Sequence, residues 1–207
     1  MKKTLLDLGR EVQAIAQTGL TFSKDPYDLI RYRQLSGIAA ELIAVNSGHT
    51  KESLNNLFSA ETGYATPKLD VRASVFNGDK ILMVKESATG DWTLPGGYVD
   101  VNEPLSTAAE KEVFEESGFI VKSRKVAGIF DSRQHGYKPH LYHFYKTYVI
   151  CDLKGGEAKT SVETTDVSYF SKAEIEDLNL DAGRITKKHV LRMFDHHAQP
   201  ALPVDFD

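Results

Sequence analysis

The chain has almost no cysteine. Cys151 is the only one in 207 residues, which excludes an intrachain disulfide and a thiolate metal cluster and fits a reducing cytoplasm. It lies in the apolar run TYVICDL and reads as a small core hydrophobe. Long hydrophobic runs are missing too; none approaches the roughly 20 residues of a membrane span. The opening MKKTLLDLGREVQAIA starts like a signal peptide, but Asp7, Arg10 and Glu11 interrupt its apolar region, so a signal peptide is not expected. There is no strong excess of either charge. A net charge of −4 gives no footprint for general nucleic-acid or anionic-membrane binding. Neither DNA nor a membrane is therefore expected as a partner. The seven histidines show no metal-ligand spacing, since His196 and His197 are adjacent and face different ways on a helix. Internal repeats and low-complexity stretches are also absent.

What is present is an ordinary soluble balance, 41% hydrophobic and 26% charged, in a length that allows one domain or one with a small appendage. Residues 1 to 66 read as helical. Leu5, Leu8, Val12 and Ile15 form a narrow apolar seam, and Thr18-Gly19 is expected to close that helix. Asp25 caps the next, with Pro26 in its first turn and a seam of Tyr32, Leu35, Ala39 and Leu42. Thr50 caps a third helix bearing Leu54, Leu57 and Phe58. These seams need partners: each other, the second domain or another subunit. The arm balances seven Lys and Arg against seven Asp and Glu, whereas a DNA-reading helix-turn-helix would be more basic.

Glu61 to Lys68 reads as a linker by its Gly and Pro, and the expected domains are 1–66 and 67–207. From Asp70 the period becomes alternating. DVRASVF and KILMVKE flank Asn77-Gly78, a strong hairpin signal. Further strand-like runs cover about 119–131, 141–153 and 166–170. Ser171 with Glu174 forms a capping box, and a last helix spans Thr186 to His197. This order of strands and helices implies a mixed α/β domain.

The most informative stretch is LPGGYVDVNEPLSTAAEKEVFEESGF, Leu94 to Phe119. Glu103 to Ser117 is expected to be a helix, with Pro104 in its first turn and Gly118 as its left-handed stop. Glu112, Glu115 and Glu116 are spaced i, i+3 and i+4 and share a face. Glu112 and Glu116 fall within the stripe of Leu105, Ala108, Ala109 and Val113. An ordinary solvated helix turns its acids away from its apolar stripe. Inward-facing acids repel one another and are expensive to desolvate. Divalent cations resolve that conflict, and an all-oxygen set suits Mg²⁺.

From Gly97 to Phe119 these residues resemble the Nudix box: Gly97, five residues, Glu103, seven residues, then Lys111, Glu112, Val113, Phe114, Glu115, Glu116, Ser117, Gly118 and Phe119. One position departs, because the family usually has Arg where this chain has Lys111, which keeps the charge but loses the planar fork. The resemblance implies an α/β/α sandwich around a mixed sheet, with the box as loop-helix-loop, beside the small N-terminal all-helical domain. It also implies Mg²⁺-dependent hydrolysis (Mn²⁺ as substitute) of a nucleoside diphosphate linked to X, giving a nucleoside monophosphate and phospho-X. Carried over by position, Glu112, Glu115 and Glu116 match the metal carboxylates and the Gly96 carbonyl a further ligand. Glu103 matches the loop-bracing glutamate, against Lys111. A later loop acid takes the water's proton in many members; Glu163 is the candidate here, with Asp166 and Glu157 competing, and a helix acid is an alternative base.

Substrate contacts are less determined. Arg72 reads either as a phosphate clamp or as a solvent-face strand arginine. Trp92, Tyr98 and Tyr64 flank the expected site, where an aromatic ring stacks a base or holds a quaternary ammonium; for Trp92 simple packing is the favoured reading. Asp131, Arg133 and His135 lie in a polar loop that could read the nucleotide or X. Over nearly its whole length the chain is similar to a bacterial Nudix subgroup with an N-terminal helical extension. Members are labelled ADP-ribose pyrophosphatase, and at least one resembles a CDP-choline pyrophosphatase. That similarity implies a homodimer and favours CDP-choline, with ADP-ribose as the alternative. A non-catalytic nucleotide sensor is a third reading; the complete acidic set argues against it.

Overall fold

A computed structural model describes residues 3–207, apart from the side chain of Asn46. The chain divides into two compact units. One runs through Pro67 and includes His140–His143; the other comprises Lys68–Pro139 and Phe144–Asp207. Among the described residues, no helix is long and apolar enough to cross a membrane.

The first unit holds three helices, α1 (Leu5–Phe22), α2 (Pro26–Ser47) and α3 (Lys51–Ala60). Each begins at a side-chain cap: Thr4 with Asp7 in a reciprocal capping box, Asp25 accepting from the N–H groups of Tyr27 and Asp28, and Thr50 accepting from that of Ser53. Gly19 does not end α1, which continues to Phe22. It serves a close approach instead, because a Cβ there would stand 2.3 Å from the Tyr32 ring of α2. Gly9 does the same against Ile43. The expected seam of α1 is correspondingly displaced. Asp7, Gly9, Gln13 and Ala16 are the buried positions, while Leu5, Leu8 and Ile15 stay exposed. Small residues allow the two backbones to approach, so the large apolar side chains turn outward. The core of this unit is Ala39, Ala40, Ile43, Leu54 and Phe58, with Leu6, Val12 and Leu141 packed against it. Arg10 ties the 140–143 segment in by donating through Nε to the Leu141 carbonyl at 3.0 Å.

The second unit is built on strands β1 (Lys68–Asn77), β2 (Lys80–Glu86), β3 (Trp92–Thr93), β4 (Phe119–Asp131), β5 (Phe144–Gly156), β6 (Thr164–Ser171) and β7 (Asp205–Phe206). Their order is β3-β2-β1-β5-β4-β7, with β6 also pairing β2. β1 runs parallel to β5 and antiparallel to β2, so the sheet is mixed. Helix α4 (Leu105–Ser117) covers one face through Ala108, Ala109 and Val113, packed on Val71, Ala73, Val75, Leu82 and Val149. Helix α5 (Lys187–Ala198) and a short 3-10 turn (Glu174–Asp177) cover the other through Ile175, Val190, Met193 and Phe194. The result is an α/β/α sandwich with β1 near its centre.

That central position has a consequence. β1 is buried on both faces from Asp70 to Phe76, as a strand with helices on either side must be. Near its start β1 is flanked not by β2 but by the chain at Pro95–Tyr98. Ala73 N–H donates to Pro95 O at 2.8 Å, Val71 N–H to Gly97 O at 2.9 Å and Val99 N–H to Leu69 O at 3.2 Å. Gly96 has φ of 148°, and a Cβ there would meet the Val71 carbonyl at 2.0 Å. Only glycine permits that contact without moving a backbone. Gly96→Ala should therefore cost about 3 kcal/mol or more, read as a fall of roughly 8 °C or more in Tm; an unchanged Tm would contradict the close approach.

Candidate active site

The Pro95–Gly97 segment and α4 meet at one carboxylate. Glu116 is 4% exposed, and its Oε2 accepts a hydrogen bond from the Gly96 N–H at 3.0 Å. Burial pushes its carboxyl up to about 7, against the opposing effects of Arg72 and the Gly96 N–H. Glu112 is half-buried one turn earlier and also raised by burial, with Lys111 and Arg72 opposing. Its carboxylate lies against Gly97, where a Cβ would stand 3.1 Å from both oxygens. Glu115 is exposed at the cavity edge.

A cavity of about 560 Å³ opens over this group. Gly96, Gly97, Tyr98, Glu112, Glu115, Glu116 and Glu163 all line it. So do Asp100, Ser161, Val162 and Arg184, which sequence reasoning did not place there. Of the three competing loop acids, Glu163 lines the cavity; Asp166 and Glu157 do not. The Glu163 loop is fixed to the helix and the sheet: Thr164 donates to the Glu116 carbonyl at 2.8 Å, and Ser87 N–H to the Glu163 carbonyl at 2.8 Å.

The loop before α4 is braced as its charges suggest. Lys111 Nζ reaches Asp100 and Glu103, each at 3.1 Å, and hydrogen bonds from it to Glu103 and Asp100 hold its ammonium well above the usual range. The helix begins at Leu105 rather than Glu103, with extended Pro104 as its N-cap, and ends at Gly118 with φ of 75°. A residue at N-cap keeps β geometry, so Glu103 stays in the loop, within reach of Lys111.

Arg72 departs from the solvent-face reading. It is 1% exposed. Its Nε and Nη2 grip Asp70 at 2.9 and 2.8 Å, and its Nη1 donates to the Leu94 carbonyl at 3.3 Å. The cause is the two-sided burial of β1. Burial works against its charge, but Asp70 outweighs it and keeps the guanidinium ionised. Lys146 joins Asp70 at 3.2 Å, and burial brings its ammonium down to about 8. Arg72 therefore holds the head of the Leu94–Gly97 segment from beneath. Asp131 and His135 also lie outside the glutamate cavity. Asp131 is buried and held by Arg133. His135 pairs with Asp207 and lines a separate cavity with Phe130, His189 and Arg192. Trp92 packs edge-on against Phe170, and Tyr64 belongs to the helical unit. Tyr98, 53% exposed, stacks on Phe144 with centroids 5.6 Å apart.

The donor set suits a hard divalent cation. It is all oxygen, it includes buried carboxylates with raised pKa, and the cavity leaves room for coordinated water. Among the described residues no group of three acid, His or Cys side chains is already arranged as a coordination sphere.

The comparisons with known proteins agree with this geometry. Residues 66–194 match the model of the NUDIX domain, and residues 3–58 that of the UDP-X-like, N-terminal oligomerisation domain. The chain belongs to the Nudix family, and is a Nudix pyrophosphatase with an N-terminal helical extension. Its relatives include YjhB of Bacillus subtilis, provisionally described as an ADP-ribose pyrophosphatase, 35% identical across 98% of this chain and 96% of that one. A crystal structure of a UDP-X diphosphatase is 29% identical, with TM-score 0.62 and 98% of both chains covered. An ADP-ribose pyrophosphatase from Streptococcus suis is 35% identical, with TM-score 0.61, covering 69% of this chain and all of the other.

Ionising Glu116 inside the fold is costly while no cation is bound. Its folded pKa lies above the unfolded value, so its contribution to stability is present at low pH and lost as pH rises from about 4.5 to 7. For metal-free protein at pH 8, Glu116→Gln should raise stability by up to roughly 3 kcal/mol. Calorimetry in chelator checks this; a lower Tm for the variant would contradict the buried-charge assignment.

Proposed function

We propose that the chain hydrolyses the pyrophosphate bond of a nucleoside diphosphate linked to X, releasing a nucleoside monophosphate and phospho-X. The observation that carries the reading is the convergence of Glu112, Glu115, Glu116 and Glu163 on one cavity beside Gly96. Glu112, Glu115 and Glu116, with the Gly96 carbonyl, would hold Mg²⁺, for which Mn²⁺ can substitute. When bound, the cation neutralises phosphate oxygens and lowers the pKa of an attacking water. Glu163 takes the proton of that water. Gly97 leaves space for Glu112, Glu103 and Lys111 brace the loop, and Arg72 with Asp70 fixes the segment from below.

ADP-ribose takes first place as substrate, because the names of the relatives point to it and to UDP-linked compounds. CDP-choline, favoured by the whole-chain resemblance, keeps a specific observation in its support. The exposed Tyr98 ring shares the cavity with Asp100 and Glu115, and an aromatic face beside carboxylates suits a quaternary ammonium. A cytoplasmic location fits the lone, buried Cys151.

We further propose a homodimer formed through the helical unit, which leaves Leu5, Leu8, Ile15, Phe22, Ile30 and Val45 exposed. So much exposed apolar surface on one small unit supports a subunit interface there. Replacing both Ile15 and Phe22 with Glu should give a folded monomer by light scattering, since both side chains are already exposed. A doubly substituted protein that stays dimeric would exclude that face.

The substrate test is a panel of ADP-ribose, UDP-sugars, CDP-choline and diadenosine polyphosphates with millimolar Mg²⁺, with products separated by chromatography. One substrate should dominate. Glu116→Gln should abolish turnover with the fold intact, and Glu163→Gln should lower kcat by about 10²- to 10⁴-fold. Near-wild-type rates for both variants would overturn the site.

A further inference from the structure

Among the described residues that line the active-site cavity are five carboxylates, from Asp100, Glu112, Glu115, Glu116 and Glu163, and a single cation, Arg184. A nucleoside diphosphate brings further negative charge into that space. Arg184 lies outside the box, in the turn between the 3-10 segment and α5. Its side chain is 34% exposed, so its fork is not sealed off. It is held from behind: Nη2 stands 3.0 Å from Glu86 and Nε 3.6 Å from Asp181.

The mounting is rigid. The N–H groups of Arg184 and Ile185 both donate to the Asp181 carbonyl at 2.9 Å, and Gly183 N–H donates to the Asp181 carboxylate at 2.9 Å. Ile185, next in the chain, is fully buried in the core. Glu86, at the end of β2, pairs in register with Thr164, the residue after Glu163. The arginine and the proposed base are thus set by the same pair of strands. Glu86 itself is 3% exposed, and its second oxygen, Oε1, has no hydrogen-bond partner among the described residues. A buried carboxylate kept beside an arginine on the edge of a cavity is a costly arrangement for stability alone. It is an effective one for aiming a guanidinium, whose planar fork can meet a carboxylate with one edge and a phosphate with another.

We infer that Arg184 is a substrate-binding residue that takes a phosphate oxygen of the nucleoside diphosphate, with Glu86 and Asp181 as the residues that position it. The assignment rests on the hydrolase reading above. It supplies a fixed positive charge where the charged box residues lining the cavity are all acids. An arginine suits this place better than a lysine, because its planar fork offers separate edges to Glu86 and a phosphate in a fixed geometry, whereas an ammonium is a compact charge on a flexible stem.

The test combines kinetics on the preferred substrate with calorimetric binding of a methylene-bridged nucleoside diphosphate, which is not hydrolysed. Arg184→Gln should raise KM about 30-fold with kcat changed far less, the signature of lost binding rather than lost chemistry. It should weaken analogue binding similarly, and Arg184→Lys should recover only part of the loss. A purely structural role, neutralising Glu86, is separated by the double variant Glu86→Gln with Arg184→Gln. That variant should stay as weak as Arg184→Gln; recovery to wild-type KM would overturn the assignment. So would an Arg184→Gln protein with KM and analogue affinity within threefold of wild type. If wild type binds the analogue in an Arg184-dependent way but turns over no conjugate, the hydrolase reading fails and the Arg184 assignment stands. Wild type that neither binds nor turns over overturns both.

Discussion

The structure depends on a carboxylate kept where a carboxylate is expensive. Glu116 is almost wholly buried, and its carboxylate accepts a hydrogen bond from the Gly96 backbone. Much of the surrounding architecture makes that arrangement tolerable. Gly96 can reach Glu116 because it lacks a Cβ and lies against the β1 backbone. From β1, Arg72 places a permanent positive charge within electrostatic reach of Glu116 and is itself fixed by Asp70. Thr164 then ties the loop of the proposed base to the carbonyl of the same glutamate. Sheet, glycine turn, helix and late loop thus converge on one residue, and stability is given up there for reactivity.

The cost is also informative. A buried acid with a raised pKa and no cationic partner in direct contact is a functional-site signal. Here it coincides with a cavity of a size that takes a small molecule. The positive charges around it do not neutralise it. Lys111 is committed to Asp100 and Glu103, Arg72 to Asp70, and Arg184 to Glu86 and Asp181. The cavity therefore remains acidic, the condition under which a divalent cation is favoured.

Much of this could be read from the residues. The Asp25 and Thr50 caps, the Asn77-Gly78 hairpin, the box helix and the terminal helix rest on local chemistry, and local chemistry is visible in sequence. So was the inward face of Glu112 and Glu116, because it breaks the ordinary amphipathic rule. What stayed hidden depended on tertiary burial. Arg72 could not be placed, because alternation along one strand does not reveal whether the second face is also covered. Gly19 resembled a stop, although its role is to admit the Tyr32 ring. Asp131 and His135 belong to a stretch of the right polarity, but Asp131 ends β4 buried against Arg133 and His135 lines another cavity. Arg184 carries no motif; only the turn built on Asp181 brings it to the site.

The central claim is that these glutamates form a cation site. The most direct measurement is Mn²⁺ binding, followed by the loss of the free-ion EPR signal, in wild type and in Glu112→Gln with Glu116→Gln. The account predicts saturable binding by the wild type that disappears in the double variant while circular dichroism is unchanged. Equal binding by the two proteins would contradict it.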